Sequence, residues 1–472
     1  MRLLISLVLG GSFLLLPLHA EGLSLKEFLN QVSESNREIQ ISMQKIQAYQ
    51  QKKSRAELVF APSAEASLDY SDKKETGFLS FQSAGDKSKS FVSGLELKKE
   101  WASGTTTSMS HQFQRYDLQG LSILKGAFWE NTLELKIQQD LWKNFGGREK
   151  RAEVRQAHFQ LDSLVETEKF KIQKKLAEAE DAYWNFVFSR AMTTSVRNSL
   201  RRTTAILKWN QKRYRLKLID QGDLLQSQAK VMEIKQSLET TKTKELAAWR
   251  QLQYFISKTF GPIPADLKVD SLSFSFDPVQ DLNEWDRTKR HDLQALKDLS
   301  KAAKADQIAT SSSLDPAVSL VASYGGDSLD SSFSTAERQS FDHSFRKYAI
   351  GLNLSLPLDF GKVNNVKASK EKEAEAKEME YQQAAYQLNR EFLDLKDQLK
   401  EVYRNIQTAK LLQKTEKKKL NHEEKRFRQG RSTSFQILTF EEDLARAEID
   451  LLRKYSRARS LLTQLRLFIP KI

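Results

Sequence analysis

The residues that ordinarily do chemistry are present in this chain but are not gathered for it. His111, His158, His291, His343 and His422 are scattered without the spacing of metal ligands. No glycine-rich phosphate loop or nucleophile elbow occurs. The absence of cysteine excludes thiolate metal sites, disulfide frameworks and a lipid-modified N-terminal Cys. Asp and Glu are abundant, yet they recur at helical spacing beside Lys and Arg, the pattern of a solvated helix face. No catalytic, cofactor-binding or metal-binding residue is expected, and the chain does not read as an enzyme. The informative polar clusters are two interruptions of otherwise helical sequence. One is Arg213-Tyr214-Arg215-Leu216-Lys217-Leu218-Ile219-Asp220-Gln221-Gly222-Asp223-Leu224-Leu225, and the other is Arg426-Phe427-Arg428-Gln429-Gly430-Arg431-Ser432-Thr433-Ser434-Phe435-Gln436-Ile437-Leu438. Their Gly and Ser clusters end one helix, and Asp220 or Ser434 is suited to cap the next.

The helices that these reversals interrupt are long. Tyr381, Ala385, Leu388, Phe392, Leu395, Leu399, Val402, Ile406 and Ala409 keep an unbroken 4-3 spacing, the seam of a left-handed coiled coil. Leu451, Tyr455, Ala458, Leu462, Leu465 and Ile469 continue it in the last helix. Val154, Ala157, Leu161 and Leu164, then Ile172, Leu176, Ala179, Tyr183 and Phe186, repeat it earlier with an irregularity between the two runs. From about residue 150 to 218 the helical rise gives a rod of roughly 100 Å. Composition agrees: charged residues make up 29% of 472, with only 18 Gly and 8 Pro, as solvated helices require. The net charge of +14 follows from Lys-rich helix faces, with anionic lipid headgroups as a secondary attraction; nucleic acid is not an expected partner.

Two other kinds of segment frame the helices. Arg2, the apolar run Leu3 to Leu16 and Leu18-His19-Ala20 read as a signal peptide, and no later run is apolar enough for a transmembrane helix. Between helices the period changes to two. Ala64, Ala66, Leu68 and Tyr70 alternate with polar residues, as do Phe91, Leu95, Leu97 and Trp101, then Leu133, Leu135 and Ile137. Val318, Leu320, Ala322 and Tyr324, and Tyr348 to Leu356, do the same later. These strands have the length that a tilted strand needs to cross a bilayer. The aromatic residues near their ends, Tyr70, Trp101, Trp129, Tyr324 and Tyr348 among them, read as an interfacial girdle.

The order of elements occurs twice. Arg213-Tyr214 recurs as Arg426-Phe427, Leu224-Leu225 as Ile437-Leu438, and Phe255-Ile256 as Phe468-Ile469, each at one spacing (426 − 213). Upstream, Phe145-Gly146 recurs as Phe360-Gly361, Pro62 as Pro316 and Tyr70 as Tyr324. The change of offset puts about 39 extra residues in the first copy between Tyr70 and Phe145. They carry strand-like Phe91–Trp101 and Thr105–Tyr116 around Ala102-Ser103-Gly104, a hairpin pattern that either adds strands to the sheet or packs outside it.

The duplicated turns, Asn36-Arg37-Glu38, Leu354-Ser355-Leu356-Pro357-Leu358 before Phe360-Gly361, and Leu141 to Gly147 together resemble the TolC family of outer-membrane efflux and secretion channels. The resemblance implies an α+β membrane protein built from a duplicated helix–strands–long helix–helix unit. Three subunits would share an outer-membrane β-barrel, four strands each in the usual member, continued by a periplasmic α-helical coiled-coil barrel. It divides the chain into signal peptide (1–20), first-repeat helix (21–60), strands with the extra hairpin (61–145), long helices and tip (146–256), linker or equatorial region (257–286), second-repeat helix (287–314), strands (315–360), and long helices and tip (361–472). It further implies a homotrimer in outer-membrane lipid that meets a periplasmic adaptor (a membrane fusion protein) and an inner-membrane RND, ABC or MFS pump, in efflux or type I secretion. Carried over by position, Arg213, Tyr214, Asp223, Arg426, Phe427, Gln436 and Thr439 would stand at the periplasmic aperture. Lys217, Leu218, Asp220, Gly222, Gly430, Ser432 and Ser434 would form the adaptor-docking turns. The second turn has Gln436 where the family has Asp, Thr439 at the next acidic position and Phe427 for Tyr, so a less cation-selective constriction is expected. Lys217 replaces a Gly, which predicts a different first turn. The rival reading is a periplasmic coiled-coil scaffold or adaptor without a pore.

Overall fold

The computed structural model describes residues 23–74, 87–119, 126–264, 267–273, 285–342 and 346–469. The signal segment, the middle of the linker (274–284) and His343 lie outside them. The helices are α1 (Leu25–Ser35), α2 (Arg37–Glu57), α3 (Arg148–Arg215), α4 (Gln221–Phe255), α5 (His291–Ser313), α6 (Phe333–Ser340), α7 (Phe360–Arg428) and α8 (Ser434–Arg466). The strands are β1 (Ser63–Lys74), β2 (Lys87–Glu100), β3 (Thr105–Gln119), β4 (Gly126–Asp140), β5 (Ala317–Asp330) and β6 (Arg346–Ser355). Two compact units emerge, and each draws on both repeats. The first takes Met1–Met43, Lys169–Arg290 and Gln387–Ile472, and the second takes Gln44–Glu168 and His291–Tyr386. Among the described residues no helix is long and apolar enough to cross a membrane.

In the first unit, α1 begins on a complete capping box. The Ser24 hydroxyl accepts the Glu27 amide while Glu27 Oε2 accepts the Ser24 amide at 3.1 Å. The break at Asn36 is another cap: its Oδ1 accepts the amides of Glu38 (3.0 Å) and Ile39 (3.2 Å), and its Nδ2 donates to the Phe255 carbonyl at 2.9 Å. A buried cap satisfied on both ends fixes α1 and α2 to the end of α4. Phe28, Val32, Ile39, Tyr183, Phe186, Trp249, Leu252 and Phe255 form the core there. The linker is part of that core. Leu267 is buried in it, the Leu23 amide donates to the Lys268 carbonyl, and Asp270 accepts from both the Leu25 amide (2.9 Å) and the Tyr183 hydroxyl (3.0 Å).

The heptad reading holds along α7 and α8, where Phe392, Leu395, Leu399, Ile406, Ala409, Ala458, Leu462 and Leu465 are buried. Along α3 it shifts. Leu164 is 42% exposed while Val165, one position on, is buried, so the irregularity in the spacing begins at Leu164. A phase change of one residue rotates the seam by about a quarter turn of helix.

The second unit holds one antiparallel sheet of six strands in the order β1-β2-β3-β4-β5-β6. The extra hairpin therefore lies within the sheet, between β1 and β4, and not outside it. Pairing continues across all six strands: Tyr70 faces Phe91, Phe91 faces Arg115, and Arg115 faces Trp129. Because cross-strand partners point the same way, the register sorts the faces. Leu68, Leu95, Met109, Leu135, Ile137, Tyr324, Ile350 and Leu352 share one face and are all exposed. Glu65, Asp69, Glu96, Lys98, Glu134, Lys136 and Lys347 share the other. The β2–β3 turn needs glycine at Gly104 (φ +78°), since a Cβ there would press on the Asn144 carbonyl at 2.5 Å.

One short helix sits on the apolar face. Phe333 of α6 meets Phe113 and Trp129 at ring distances of 5.2 and 5.0 Å, and the Ser340 backbone fits against Gly326, where a side chain would collide. The helix covers Asn131 and Ser328, polar residues of that face, along with Phe113 and Trp129, and leaves Leu68, Leu95, Leu135 and Ile350 exposed.

Helix α5 is tied to α7 through Glu378. Its carboxylate accepts from Ser300 Oγ (2.6 Å) and Lys304 Nζ (2.9 Å). The hydroxyl bond foremost, then the ammonium, holds its pKa down to about 2 from an ordinary 4.5. A depressed carboxyl stabilises the fold above its unfolded pKa, and that contribution fades as pH falls from about 4.5 towards 2. Acid titration of Glu378→Gln, followed by circular dichroism, is expected to show a shallower loss of stability across that window than the parent. An identical pH profile would show that the carboxylate is not so held.

Candidate functional site

Both chain reversals belong to the first unit, and backbone hydrogen bonds define their shape. At the end of α3 the Lys217 amide donates to the Tyr214 carbonyl (2.9 Å) and the Leu218 amide to the Arg213 carbonyl (2.9 Å). At the end of α7 the Gly430 amide donates to Phe427 (3.1 Å) and Arg431 to Arg426 (2.9 Å). These are two copies of one Schellman ending. Lys217 (φ +58°) occupies the left-handed position that Gly430 (φ +78°) fills in the second copy. The different first turn expected from a lysine in place of glycine is not found, because two carbonyl partners hold Lys217 in that conformation.

The helices that follow are capped at matching positions. Asp220 accepts the Asp223 amide at 2.9 Å, and Thr433 accepts the Gln436 amide at 3.2 Å. The cap of α8 is thus Thr433 and not Ser434. Ser434 has turned inward, is 1% exposed, and donates to Asn210 Oδ1 at 3.1 Å. Asn210 also donates to Ser227 Oγ, which in turn donates to the Asp223 carbonyl at 3.0 Å. This fully buried triad joins α3, α4 and α8, so it binds one hairpin to the other. Sequence reading missed Asn210 and Ser227, since a polar residue on a charged helix gives no sign of burial.

The expected aperture residues divide by exposure. Tyr214 and Arg426 are on the surface, with Arg213, Asp223, Gln436 and Thr439 partly covered, and Gly430 of the docking turns is exposed as well. Of the docking residues, Lys217, Leu218, Asp220 and Gly222 are exposed and Ser432 is partly covered. Phe427 is not an exposed aperture group. It is 3% exposed in a cluster with Ile206, Leu420, Ile437, Leu438 and Leu444, beneath the Arg213 guanidinium at 5.6 Å. Losing the hydroxyl of a tyrosine makes that burial compatible with an apolar cluster. Ser432 donates to buried Glu423, which also accepts from Arg426 at 3.4 Å.

A second missed group lies nearby. Arg202 Nε reaches both oxygens of Glu441 (3.0 and 2.7 Å), and its terminal nitrogen reaches Glu448 at 3.4 Å. Burial pushes the Glu441 carboxyl up, and the bonds from Arg202 only partly offset it. The pair thus fixes α8 to α3 directionally and adds little net stability. None of these groups has a nucleophile–base or ligand geometry; they hold helices in register.

Four of the five expected girdle aromatics lie on the apolar face. Tyr70 pairs with Phe91, Trp129 with Arg115, and Tyr324 with Tyr348. Trp101 is at the β2–β3 turn under Lys99, whose ammonium is 4.0 Å from the ring centroid.

The profile of the outer membrane efflux protein family matches residues 287–468. The match covers the second repeat. The resemblance to TolC-like channels read from the sequence is borne out by this match. Solved outer-membrane proteins share the fold over nearly the whole chain. The outer membrane protein VceC of Vibrio cholerae superposes with a TM-score of 0.68 at 17% identity, covering 94% of this chain and 95% of its own. The MtrE outer membrane channel of Neisseria gonorrhoeae gives 0.68 at 16%, covering 94% and 88%. The CmeC outer membrane channel of Campylobacter jejuni gives 0.64 at 12%, covering 94% and 85%. At these identities the likeness is one of fold. No curated protein matches the chain in sequence.

The paired turns give a direct energetic test. A side chain in the left-handed region costs about 1 kcal/mol, and nothing lies within 4 Å of a Cβ built on Gly430. Lys217→Gly is therefore expected to stabilise the protein by up to about 1 kcal/mol, and Gly430→Lys to destabilise it similarly. Unfolding midpoints in denaturant measure both. Destabilisation by Lys217→Gly, or stabilisation by Gly430→Lys, would mean that the two turns are not conformational equivalents.

Proposed function

We propose that three copies of this chain form a passive outer-membrane conduit, a β-barrel in lipid continued by a helical tunnel in the periplasm. One observation carries this reading: a sheet with one exposed apolar face and one polar face, its two edges unpaired, lies on the same chain as a duplicated coiled-coil hairpin. In water such a face is a liability, and in lipid its open edges would each leave a row of backbone groups unsatisfied. Closure against further copies removes both problems. The homotrimer itself is the inference drawn from the TolC-like resemblance.

In this reading the turns at Lys217 and Gly430 form the periplasmic tip, where a periplasmic adaptor docks and connects an inner-membrane RND, ABC or MFS pump. The same tunnel serves tripartite efflux or type I secretion. The exposed residues best suited to docking are Lys217, Leu218, Asp220 and Gly222 of the first turn and Gly430 of the second, with partly covered Ser432 beside it. The coiled-coil scaffold without a pore is disfavoured, because it leaves the apolar sheet face without a purpose.

The tip is basic. Arg213, Arg215, Lys217, Arg426, Arg428 and Arg431 crowd the two helix ends, where cations also complement the helix dipoles. With Gln436 where the family has a carboxylate, the constriction is expected to discriminate little in favour of cations.

Two readouts of one preparation test the proposal. The full chain should fractionate with outer membrane as a heat-modifiable trimer, and its reversal potential in a salt gradient should show no strong cation preference. Recovery as a soluble protein without detergent would contradict the conduit. Strong cation selectivity unaltered by Gln436→Ala would contradict the account of the constriction alone.

A further inference from the structure

We infer that the assembled barrel has eighteen strands, with β6 of each copy paired to β1 of the next, and that its mouth is correspondingly wide. The inference rests on the trimeric reading above, but the strand number comes from the sheet. Six strands lie side by side in sequence order, each antiparallel to the next. The inserted hairpin is paired on both sides, β1 to β2 over Ser63 to Lys74 and β3 to β4 over Thr105 to Leu118. It is therefore integral to the wall. Removing it from the sheet would break both of those ladders and leave the gap to be closed by β1 against β4.

Closure between copies fits the two edges chemically. Each edge strand is paired on one side only, β1 to β2 and β6 to β5. An even strand number per copy makes β1 and β6 antiparallel, so a seam between copies continues the meander without a parallel junction. Face parity is kept as well. Ala66, Leu68 and Tyr70 on β1 and Ile350, Leu352 and Leu354 on β6 all belong to the apolar face. The seam would thus continue the apolar exterior. Both strands are long enough to span hydrocarbon, at 12 and 10 residues.

The polar face sets the other requirement. Glu96, Lys98, Glu134 and Lys136 stand near one another across β2 and β4, and such charges need water. Small barrels fill their interiors with side chains, whereas barrels of 16–18 strands leave an aqueous lumen. Three copies of six strands give a wall about half again as wide as twelve strands would.

The absence of native cysteine makes disulfide trapping clean. In the six-stranded sheet Tyr70 faces Phe91. If the hairpin were expelled, β1 would pair with β4 as β5 pairs with β6, and the repeat register would bring Tyr70 opposite Leu133. The full chain carrying Tyr70→Cys with Phe91→Cys, or Tyr70→Cys with Leu133→Cys, is oxidised in outer membranes and read by mobility shift on heated gels. Electron cryomicroscopy of the parent trimer counts strands independently. The expected result is a shift for the first pair only and eighteen strands. A shift for the second pair, or a trimer of twelve strands, would overturn the inference while leaving the trimeric conduit intact. A chain that forms no membrane trimer would overturn both.

Discussion

A β-sheet with one apolar face and two open edges is under two obligations at once, and this chain cannot meet either alone. The apolar face must leave water, and the edge N–H and C=O groups must find partners. Every other feature of the second unit follows from meeting both. The alternation of Leu68, Leu95, Leu135 and Leu352 with Glu, Lys and Ser is the face requirement written in sequence. The glycines at 104 and 147 let the β2–β3 turn press against the break before α3. Helix α6 roofs Asn131 and Ser328, two of the polar residues on the apolar face. Satisfying or covering such groups matters most where no water is available.

In the first unit the dominant need is different. Long amphipathic helices must be held in register, and heptad packing alone permits sliding by a turn. Buried polar contacts fix that register: Asn210 with Ser227 and Ser434, and Arg202 with Glu441. Neither set is repeated at the equivalent positions of the other copy, since Arg202 matches Thr415 and Asn210 matches Glu423. The duplicated unit has kept its backbone, down to the Schellman endings, while its two copies have diverged in the side chains that join them. That divergence gives each hairpin a distinct neighbour, which identical copies could not specify.

Much of this was legible in residue order. The 4-3 spacing located the buried residues of α7 and α8, and the period-two runs stood where strands form. The hairpin's place in the sheet was not legible, because Lys98 and Glu100 look unsuited to lipid until register shows that they share the polar face with Glu134 and Lys136. Burial of Phe427 and Ser434 was likewise hidden: their turn is polar and basic, and only the approach of α3 encloses them. Leu164 shows the remaining limit. A seam that changes phase keeps its residue types while exchanging which of two neighbours is buried, and period alone does not say which.

The central claim is that the two faces of the sheet meet different solvents. Single cysteines placed along β6 of the otherwise cysteine-free chain test it most directly, in outer membranes, with a water-soluble and a lipid-soluble thiol reagent. The account predicts strict alternation: Ile350→Cys, Leu352→Cys and Leu354→Cys react from the lipid phase, whereas Ala349→Cys, Gly351→Cys and Asn353→Cys react from water. Equal reactivity with the water-soluble reagent at all six positions would contradict it.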